Sequence, residues 1–210
     1  MPDSHVNKVF CVGSNKTGTT SLAAFFVSLG FRLGSQAIGE TLLRNYAVRN
    51  FHPIVALAHS ATFFQDVPFS CPFTFQAMDM AFPGSKFILS VRDDPDRWCD
   101  SLIRFHTKLI GKGRLPMTQD LREYHYAWPG WLLQAMQLMY DVDEDDPYDR
   151  FQLIDSYDRH IYNVQRYFEK RPDALLMINV GDDDAAERLL AFVGVPQSDA
   201  TMPHLNRSED

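Results

Sequence analysis

The sequence predicts an α/β fold in three layers, with a central parallel β-sheet flanked by helices. Four short apolar runs recur along the chain, and segments with the apolar spacing of helices separate them. Within each run the apolar residues are continuous, which is typical of parallel strands that are covered on both faces. The runs cover residues 9–12, 62–64, 86–91 and 175–180. Strands that alternate with helices in this way form an open three-layer fold.

The helices are predicted from apolar spacing and from the residues at their ends. Gly30 stands where the first helix should stop, because glycine readily takes the left-handed conformation that follows a helix. Asp94 and Pro95 mark the start of the second helix, as N-cap and first helical residue. The predicted helices cover residues 22–29, 95–109, 151–168 and 182–193.

The chain has 210 residues, of which 45% are hydrophobic and 22% are charged. This length and composition predict a single domain over residues 1–210 with a core of ordinary size. The stretch 110–148 interrupts the alternation of strands and helices with glycine, proline, aromatic and acidic residues. We expect it to be a partly helical insertion over the ligand-binding face.

The overall charge limits the class of partner. The net charge is −7 at pH 7 and the pI is about 5.4, which argues against nucleic acid as a ligand. Three cysteines without metal-ligand spacing predict reduced thiols and no zinc site. Neither a signal peptide nor a membrane-spanning stretch is predicted. We therefore expect a soluble cytoplasmic protein with no nucleic-acid or membrane partner, and the sequence leaves its oligomeric state open.

A polar loop follows the first predicted strand and leads directly into the first helix. It reads Gly13-Ser14-Asn15-Lys16-Thr17-Gly18-Thr19-Thr20-Ser21. Such a strand, loop and helix aim backbone N–H groups and the positive end of a helix at one point, which favours a phosphate site. The loop is not a Walker A motif, because Thr19 stands where that motif has its lysine, and Lys16 precedes Gly18. This difference disfavours a nucleotide kinase.

A second candidate anion site follows the third predicted strand. That strand ends in Arg92, and Ser101 lies on the next predicted helix. A guanidinium can bind a phosphate through two hydrogen bonds, and a hydroxyl further along the helix adds another donor. The pair therefore predicts a second phosphate contact.

The two blocks together resemble the sulfotransferases that use 3′-phosphoadenosine 5′-phosphosulfate (PAPS). The polar loop is similar to the phosphosulfate-binding loop of that family, and the segment 86–102 is similar to its 3′-phosphate block. Trp98 stands where the bacterial-type branch has a tryptophan. The family usually places the serine eight positions after the arginine, whereas Ser101 is nine positions after Arg92, so the turn 93–95 carries an extra residue.

The resemblance implies a P-loop-like fold and transfer of a sulfuryl group from PAPS to a hydroxyl or amine of a small-molecule acceptor. Lys16 would contact the bridging oxygen, and Arg92 with Ser101 would bind the 3′-phosphate. The N–H groups of Thr17 to Ser21 and the hydroxyls of Thr19 and Thr20 would bind the 5′-phosphate. The full set of expected PAPS-binding residues is Ser14, Asn15, Lys16, Thr17, Gly18, Thr19, Thr20, Ser21, Arg92 and Ser101. The expected product is adenosine 3′,5′-bisphosphate (PAP). No metal is expected, because Lys16 and the helix terminus supply positive charge.

Asp66 is the expected catalytic base. It precedes the Val67-Pro68 pair, in a segment that resembles the acid–base region of the family. Glu40, His59 and His52 are alternatives: Glu40 lies near the glutamate of heparan-type sulfotransferases, and the usual pKa of a histidine suits the task. Asp66 could equally be a turn residue that hydrogen-bonds its own backbone.

The insertion supplies candidates for acceptor binding. Its aromatic side chains form either a hydrophobic wall for the acceptor or the core of the insertion itself. These are Tyr124, Tyr126, Trp128 and Trp131. His106 and His125 are further candidates for the acceptor pocket.

An acidic segment of the insertion mimics part of a calcium-binding loop. Asp141, Asp143 and Asp145 have the spacing that begins an EF-hand loop, but Asp146 and Gln152 stand where that loop needs glycine and glutamate. We expect a solvated acidic loop.

Two other functions are compatible with parts of the pattern. A small-molecule kinase would keep the fold but needs magnesium ligands and a lysine after Gly18. A nucleotide-binding module without catalysis is the second alternative.

Weaker similarities to the sulfotransferases extend to residues 202–206, and the neighbouring Arg207 is a further candidate nucleotide contact.

Overall fold

The computed structural model describes residues 8–196 and 201–203. In this part of the chain the four predicted strands form one sheet in which each neighbouring pair is parallel. They are β1 (Val9–Cys11), β2 (Phe63–Phe64), β3 (Lys86–Ser90) and β4 (Leu175–Ile178), in the order β2-β1-β3-β4. The predicted parallel sheet is confirmed, with each strand slightly shorter than its apolar run.

Ten α-helices occur in the described residues. They are α1 (Thr19–Ser28), α2 (Gln36–Thr41), α3 (Leu43–Ala47), α4 (His52–Ala58), α5 (Thr74–Ala81), α6 (Pro95–Leu109), α7 (Thr118–Glu123), α8 (Trp131–Tyr140), α9 (Arg150–Phe168) and α10 (Ala185–Val193). The four predicted helices correspond to α1, α6, α9 and α10, although α10 begins three residues later than expected. Helices α2 to α5 were not predicted, because segments of five to eight residues are too short for a clear helical period.

The predicted helix ends are present. Gly30, directly after the C-cap of α1, has a φ of 85°. Asp94 is the N-cap of α6: its side chain accepts a hydrogen bond of 2.8 Å from the backbone N–H of Asp96, and Pro95 is the first helical residue. Gly194 ends α10 with a φ of 70°. Local chemistry therefore determines these boundaries.

The described fold consists of two compact units. The sheet unit contains the chain up to Val91 and from Asn163 onward, and the helical unit is Arg92–Tyr162. The sheet unit holds all four strands. The helical unit holds α6, α7, α8 and most of α9, so it includes the predicted insertion 110–148. The insertion 110–148 is partly helical, as expected. Its position over a ligand-binding face stays a prediction.

One face of the sheet packs against α1 and α10. Val9 and Cys11 of β1 join a buried cluster with Phe26 of α1 and Leu189 of α10. The ring of Phe26 also stacks on Phe63 of β2, with 4.4 Å between centroids. These contacts form the first layer of helices over the sheet.

The opposite face is mainly aromatic. The ring centroid of Phe10 lies 5.5 Å from that of Phe87 on β3, and Phe87 lies 4.8 Å from Phe168 near the end of α9. Phe168 in turn lies 6.1 Å from Phe75 of α5. Alternate residues of β1 thus point to opposite layers of helices, which is why the apolar run is continuous.

The helical unit has its own aromatic core. Trp98 of α6 is fully buried and stacks on Tyr157 of α9, with 4.3 Å between centroids and 14° between the ring planes. Tyr140, at the end of α8, lies 5.4 Å from Trp98. None of the helices in the described ranges is long and apolar enough to cross a lipid bilayer.

Candidate active site

The polar loop, which we call the phosphate loop (Gly13–Ser21), leaves the carboxyl end of β1. In the sheet order, β2 lies on one side of β1 and β3 on the other. The chain therefore changes direction at β1, and open α/β sheets bind ligands outside the carboxyl ends of strands at such a switch point. The fold places the phosphate loop where a ligand is expected.

Two glycines allow the phosphate loop to pack closely on its neighbours. A Cβ atom on Gly13 would overlap the backbone and side chain of Ser90 at the end of β3. Gly18 has a φ of 92°, and a Cβ there would overlap the side chain of Val180, which follows β4. Only glycine fits these two positions without displacing the backbone of the loop.

A chain of hydrogen bonds holds the loop to the sheet. The Thr17 hydroxyl donates to the carbonyl of Ser14 at 2.6 Å and lies 2.6 Å from the hydroxyl of Ser90. Because the single proton of Thr17 is already donated, Ser90 must donate to Thr17. The Cys11 sulfur lies 3.6 Å from the Ser90 oxygen. Burial raises the pKa of the Cys11 thiol to about 12, so it remains protonated and can donate to Ser90.

The phosphate loop ends at the N-terminus of α1. Gly18 is the N-cap and has no side chain to satisfy the first N–H groups of the helix. Thr19, Thr20 and Ser21 are the first helical residues, and N–H groups at these positions have no partner within a helix. Ser21 is buried and Thr20 is exposed. The helix terminus can therefore offer backbone donors and its positive dipole to an anion.

Lys16 and Asp66, the two predicted catalytic residues, both have left-handed backbone conformations. Their φ angles are 69° and 54°. Such conformations cost non-glycine residues free energy, and they occur often at functional sites. Both side chains are partly buried in the sheet unit.

Asp66 follows β2 and lies beside the first turn of α1. The pKa of its carboxyl is raised to about 6, mainly because the group is buried. The nearby carboxylate of Glu40 acts in the same direction, while a hydrogen bond from Thr19 and the charge of Lys16 act in the opposite direction. The structure therefore brings Asp66, Lys16, Thr19 and Glu40 together. The Thr19 side chain hydrogen-bonds Asp66, and its expected contact with the 5′-phosphate stays a prediction.

Glu40 reaches this cluster from α2. A Cβ atom on the preceding residue, Gly39, would lie 2.9 Å from the carbonyl oxygen of Val67, so α2 packs directly on the segment that follows Asp66. The side-chain amide of Gln36 donates to the Glu40 carboxylate at 2.9 Å. Glu40 is buried, and its carboxylate faces the same site as Asp66.

The two histidines proposed as alternative bases do not join the cluster. His59 is exposed and its ring lies 4.9 Å from the ring of Phe82. Phe82 also contacts the ammonium of Lys8, just before β1, so His59 lies near the amino ends of the strands. His52 is exposed at the start of α4. The carboxylates of Asp66 and Glu40 are therefore better candidates for the catalytic base than these histidines.

In the helical unit, Arg92 begins the turn that leads into α6. We call residues Arg92–Trp98 the Arg92 turn. The backbone N–H of Arg92 donates to the hydroxyl of Tyr157 at 2.9 Å, and the Arg92 side chain is exposed. Tyr157 is a functional candidate that the sequence analysis missed, because a tyrosine at helical spacing gives no sign of its partner. Ser90 was missed too, although a serine at the end of an apolar strand is a recognisable signal.

Ser101 lies in the second turn of α6 and is 3% exposed. Its hydroxyl oxygen is buried without a hydrogen-bond partner in the described part of the chain. Buried polar groups nearly always have a partner, so this hydroxyl needs an explanation.

The other sequence candidates in the helical unit lie in ordinary structural settings. His106 is buried, with its Nδ1 atom 3.1 Å from the hydroxyl of Tyr148. Trp131 is buried, and the rings of Tyr126 and Trp128 lie 4.9 Å and 6.4 Å from it. These aromatic contacts favour a core of the insertion. Tyr124 is half-buried, and His125 is exposed and bridges to Pro129.

The acidic loop is largely exposed. Asp141 lies 3.7 Å from Arg159, and Asp143 accepts a hydrogen bond from the backbone of Asp145. Within the described ranges, no three histidine, cysteine or carboxylate side chains are grouped to hold a metal ion. Residues 204–206 and Arg207 lie outside the described residues, so the expectations for them stay predictions.

Comparison with known proteins adds one finding. A family model described as a sulfotransferase domain matches residues 8–210. The match includes the phosphate loop, Asp66 and the Arg92 turn. No curated protein matches the chain significantly.

Proposed function

The chain belongs to the sulfotransferase family, and we propose that it transfers a sulfuryl group from PAPS to a hydroxyl or amine of a small-molecule acceptor. The main support is the cluster of Lys16, Thr19 and Asp66 at the start of α1. This cluster combines a cation for the leaving group with a carboxylate for the acceptor proton. The activity of the family is sulfuryl transfer; the donor, the acceptor and the roles of the residues are our proposal.

The phosphate loop would bind the 5′-phosphosulfate. Gly13 and Gly18 let the backbone approach closely, and the first turn of α1 supplies N–H donors. The hydroxyls of Thr19 and Thr20 would add to these donors, with Thr19 exchanging its contact with Asp66 for one with the donor. Lys16 would contact the oxygen that bridges phosphorus and sulfur.

Arg92 and Ser101 would bind the 3′-phosphate. The unpartnered Ser101 hydroxyl and the exposed Arg92 guanidinium support this role. The Ser101 oxygen is covered by protein, so the proposal requires that neighbouring side chains move aside when the donor binds.

In the proposed reaction, Asp66 takes the proton of the acceptor hydroxyl as the acceptor oxygen bonds to sulfur. The bond between sulfur and the bridging oxygen breaks, and its electron pair stays on the departing PAP. Lys16 and the α1 terminus stabilise this charge more in the transition state than in the ground state. Lys16 thereby supplies the positive charge that a metal provides in other group transfers.

The pKa of Asp66, near 6, suits this role, because the carboxyl is mostly ionised at neutral pH and still basic enough to accept a proton. We therefore expect activity to rise with pH through about 6. The buried free thiols of Cys11, Cys71 and Cys99 support a reducing, cytoplasmic setting.

Thermal denaturation with nucleotides tests the proposed donor. PAP should raise the melting temperature far more than ATP with magnesium, since of these two nucleotides only PAP carries the 3′-phosphate that we assign to Arg92 and Ser101. At a hundredfold excess over its Kd, a ligand stabilises the folded state by about 2.7 kcal/mol. Equal shifts with ATP, or a need for magnesium, would contradict the proposal. Transfer of radiolabelled sulfate from PAPS to phenols, alcohols, amines and sugars then identifies the acceptor class.

A further inference from the structure

The backbone of Arg92 is held by a side chain of α9. The last sheet hydrogen bond of the preceding chain runs from the N–H of Val91 to the carbonyl of Ile178 at 2.9 Å. The next N–H group, that of Arg92, has left the sheet and donates to the hydroxyl of Tyr157 at 2.9 Å. Tyr157 thus replaces a strand partner at the point where the chain turns toward α6.

Tyr157 has little freedom to move. The residue is 1% exposed, and its ring stacks on Trp98, which is itself fully buried. The N–H of Trp98 donates to the carbonyl of Asp94, the N-cap of α6, at 3.0 Å. One tyrosine therefore contacts both ends of the Arg92 turn: its hydroxyl binds the first residue, and its ring binds the last.

We propose that Tyr157 is a positioning residue, which holds the backbone of Arg92 so that the guanidinium is directed at the 3′-phosphate of the nucleotide. This inference rests on the proposed function of Arg92. A fixed acceptor for the first amide of a turn restricts the backbone freedom of that turn. Tyr157 itself touches no substrate in this proposal.

The Tyr157 hydroxyl can accept the hydrogen bond from the N–H of Arg92 at any pH near neutrality. Burial raises the pKa of Tyr157 to about 12, so the phenol stays protonated and neutral. The charged groups near it are Arg92, Asp93 and Asp158. Its effect on nucleotide binding should therefore not depend on pH near neutrality.

The test is Tyr157→Phe, which removes the oxygen and keeps the ring on Trp98. Kd should be measured for PAP and for adenosine 5′-monophosphate, which lacks the 3′-phosphate. The loss of one hydrogen bond predicts that PAP binds about three- to tenfold more weakly. Binding of the monophosphate should not change. Tyr148→Phe is the matched control, because it removes another buried tyrosine hydroxyl of the helical unit, the one that contacts His106.

The outcomes separate this inference from the proposed function. If wild-type protein binds PAP no better than the monophosphate, the proposed function fails. If wild-type protein prefers PAP and Tyr157→Phe keeps the full preference, or weakens both nucleotides equally, the positioning role of Tyr157 is overturned. The same conclusion follows if Tyr148→Phe lowers the preference as much. Should Tyr157→Phe fail to fold, hydrogen exchange of the Arg92 amide in wild-type protein decides: slow exchange supports the contact, and unprotected exchange overturns it.

Discussion

The phosphate loop and the Arg92 turn, to which we assign different phosphates in our proposal, are stabilised in different ways. The phosphate loop relies on close backbone packing at two glycines and on the hydrogen-bond chain through Ser90 and Thr17. The Arg92 turn relies on a stack of two aromatic rings and on one phenol oxygen. A loop that binds anions through its backbone N–H groups needs its main chain fixed along its whole length. A site that binds through one long side chain needs the main chain fixed only where that side chain begins.

This difference predicts two kinds of mutational effect. Changes around the phosphate loop should act on catalysis or on the binding of every adenine nucleotide that carries a 5′-phosphate. Changes at the Arg92 turn should act only on nucleotides with a 3′-phosphate. Four substitutions test this division.

Asp66→Asn should have the largest effect. It removes the proton acceptor, and general base catalysis contributes roughly a hundred- to ten-thousandfold to rate, so turnover should fall in that range while PAP still binds. Activity should recover as the pKa of a phenol acceptor falls, because such an acceptor needs less help from a base. Asparagine tolerates the positive φ of this position. Asp141→Asn, at another aspartate with a positive φ, is the matched control.

The same substitution should stabilise the fold at neutral pH. The folded-state pKa of Asp66 is raised to about 6, so the folded state binds the proton more tightly than the unfolded state. This stabilisation is complete below about pH 4, the usual pKa of an aspartate, and is lost as pH rises through about 6. Asp66→Asn should therefore increase the free energy of unfolding at pH 7 by on the order of 2 kcal/mol. Denaturation at pH 4 and pH 7 measures this, and a variant less stable at pH 7 would contradict burial as the cause.

Lys16→Ala should lower turnover about a hundredfold or more, because it removes the cation next to the leaving group. PAP binding should weaken less than turnover falls, since the backbone donors of the phosphate loop remain. Steady-state kinetics and calorimetry measure the two effects. Lys112→Ala, at an exposed lysine with a φ of 50°, controls for a new residue in the same backbone conformation. A loss confined to PAP affinity would show that Lys16 binds the nucleotide without stabilising the transition state.

Arg92→Ala should weaken PAP binding by about ten- to a hundredfold, because a charge-assisted contact contributes about 1.5 to 3 kcal/mol. Binding of adenosine 5′-monophosphate should remain unchanged. Arg97→Ala is the control, since the Arg97 side chain is 83% exposed and only 4.0 Å from Asp94 at its closest. An equal loss for both nucleotides would assign Arg92 a structural role.

Ser90→Ala should have the smallest effect. Like other changes around the phosphate loop, it should affect nucleotides with and without a 3′-phosphate equally. It removes the donor to Thr17 and should lower the free energy of unfolding by about 1 kcal/mol. PAP and adenosine 5′-monophosphate should both bind a few-fold more weakly, to the same extent. Ser85→Ala, which removes a local hydrogen bond to Phe82 just before β3, should affect stability without affecting nucleotide binding. A selective loss of PAP binding in Ser90→Ala would break the proposed division between the two regions.

The sequence predicted those parts of the site that consist of residues close together in the chain. The phosphate loop is one continuous segment between a strand and a helix, and its glycines and lysine are adjacent in the chain. The Asp94 N-cap and Pro95 likewise determine the start of α6 through local hydrogen bonding. Helix α2 was not predicted. The sequence analysis therefore did not show that Glu40 would lie beside Asp66. A six-residue helix is stabilised mainly by its tertiary contacts, such as that of Gly39 with Val67.

By itself, the sequence determined the parallel sheet, the main helices, the phosphate loop and the resemblance that the family match confirms. These features depend on apolar patterns and on contacts between residues close in the chain, which a sequence records directly. Only the tertiary structure separated Asp66 and Glu40 from the exposed histidines, because burial and charge at a carboxyl depend on neighbours from α1, α2 and the phosphate loop. It alone connected Ser90 to Thr17 and Tyr157 to Arg92. These partners are 73 and 65 residues apart in the chain, and hydrogen bonds between them exist only once the chain has folded.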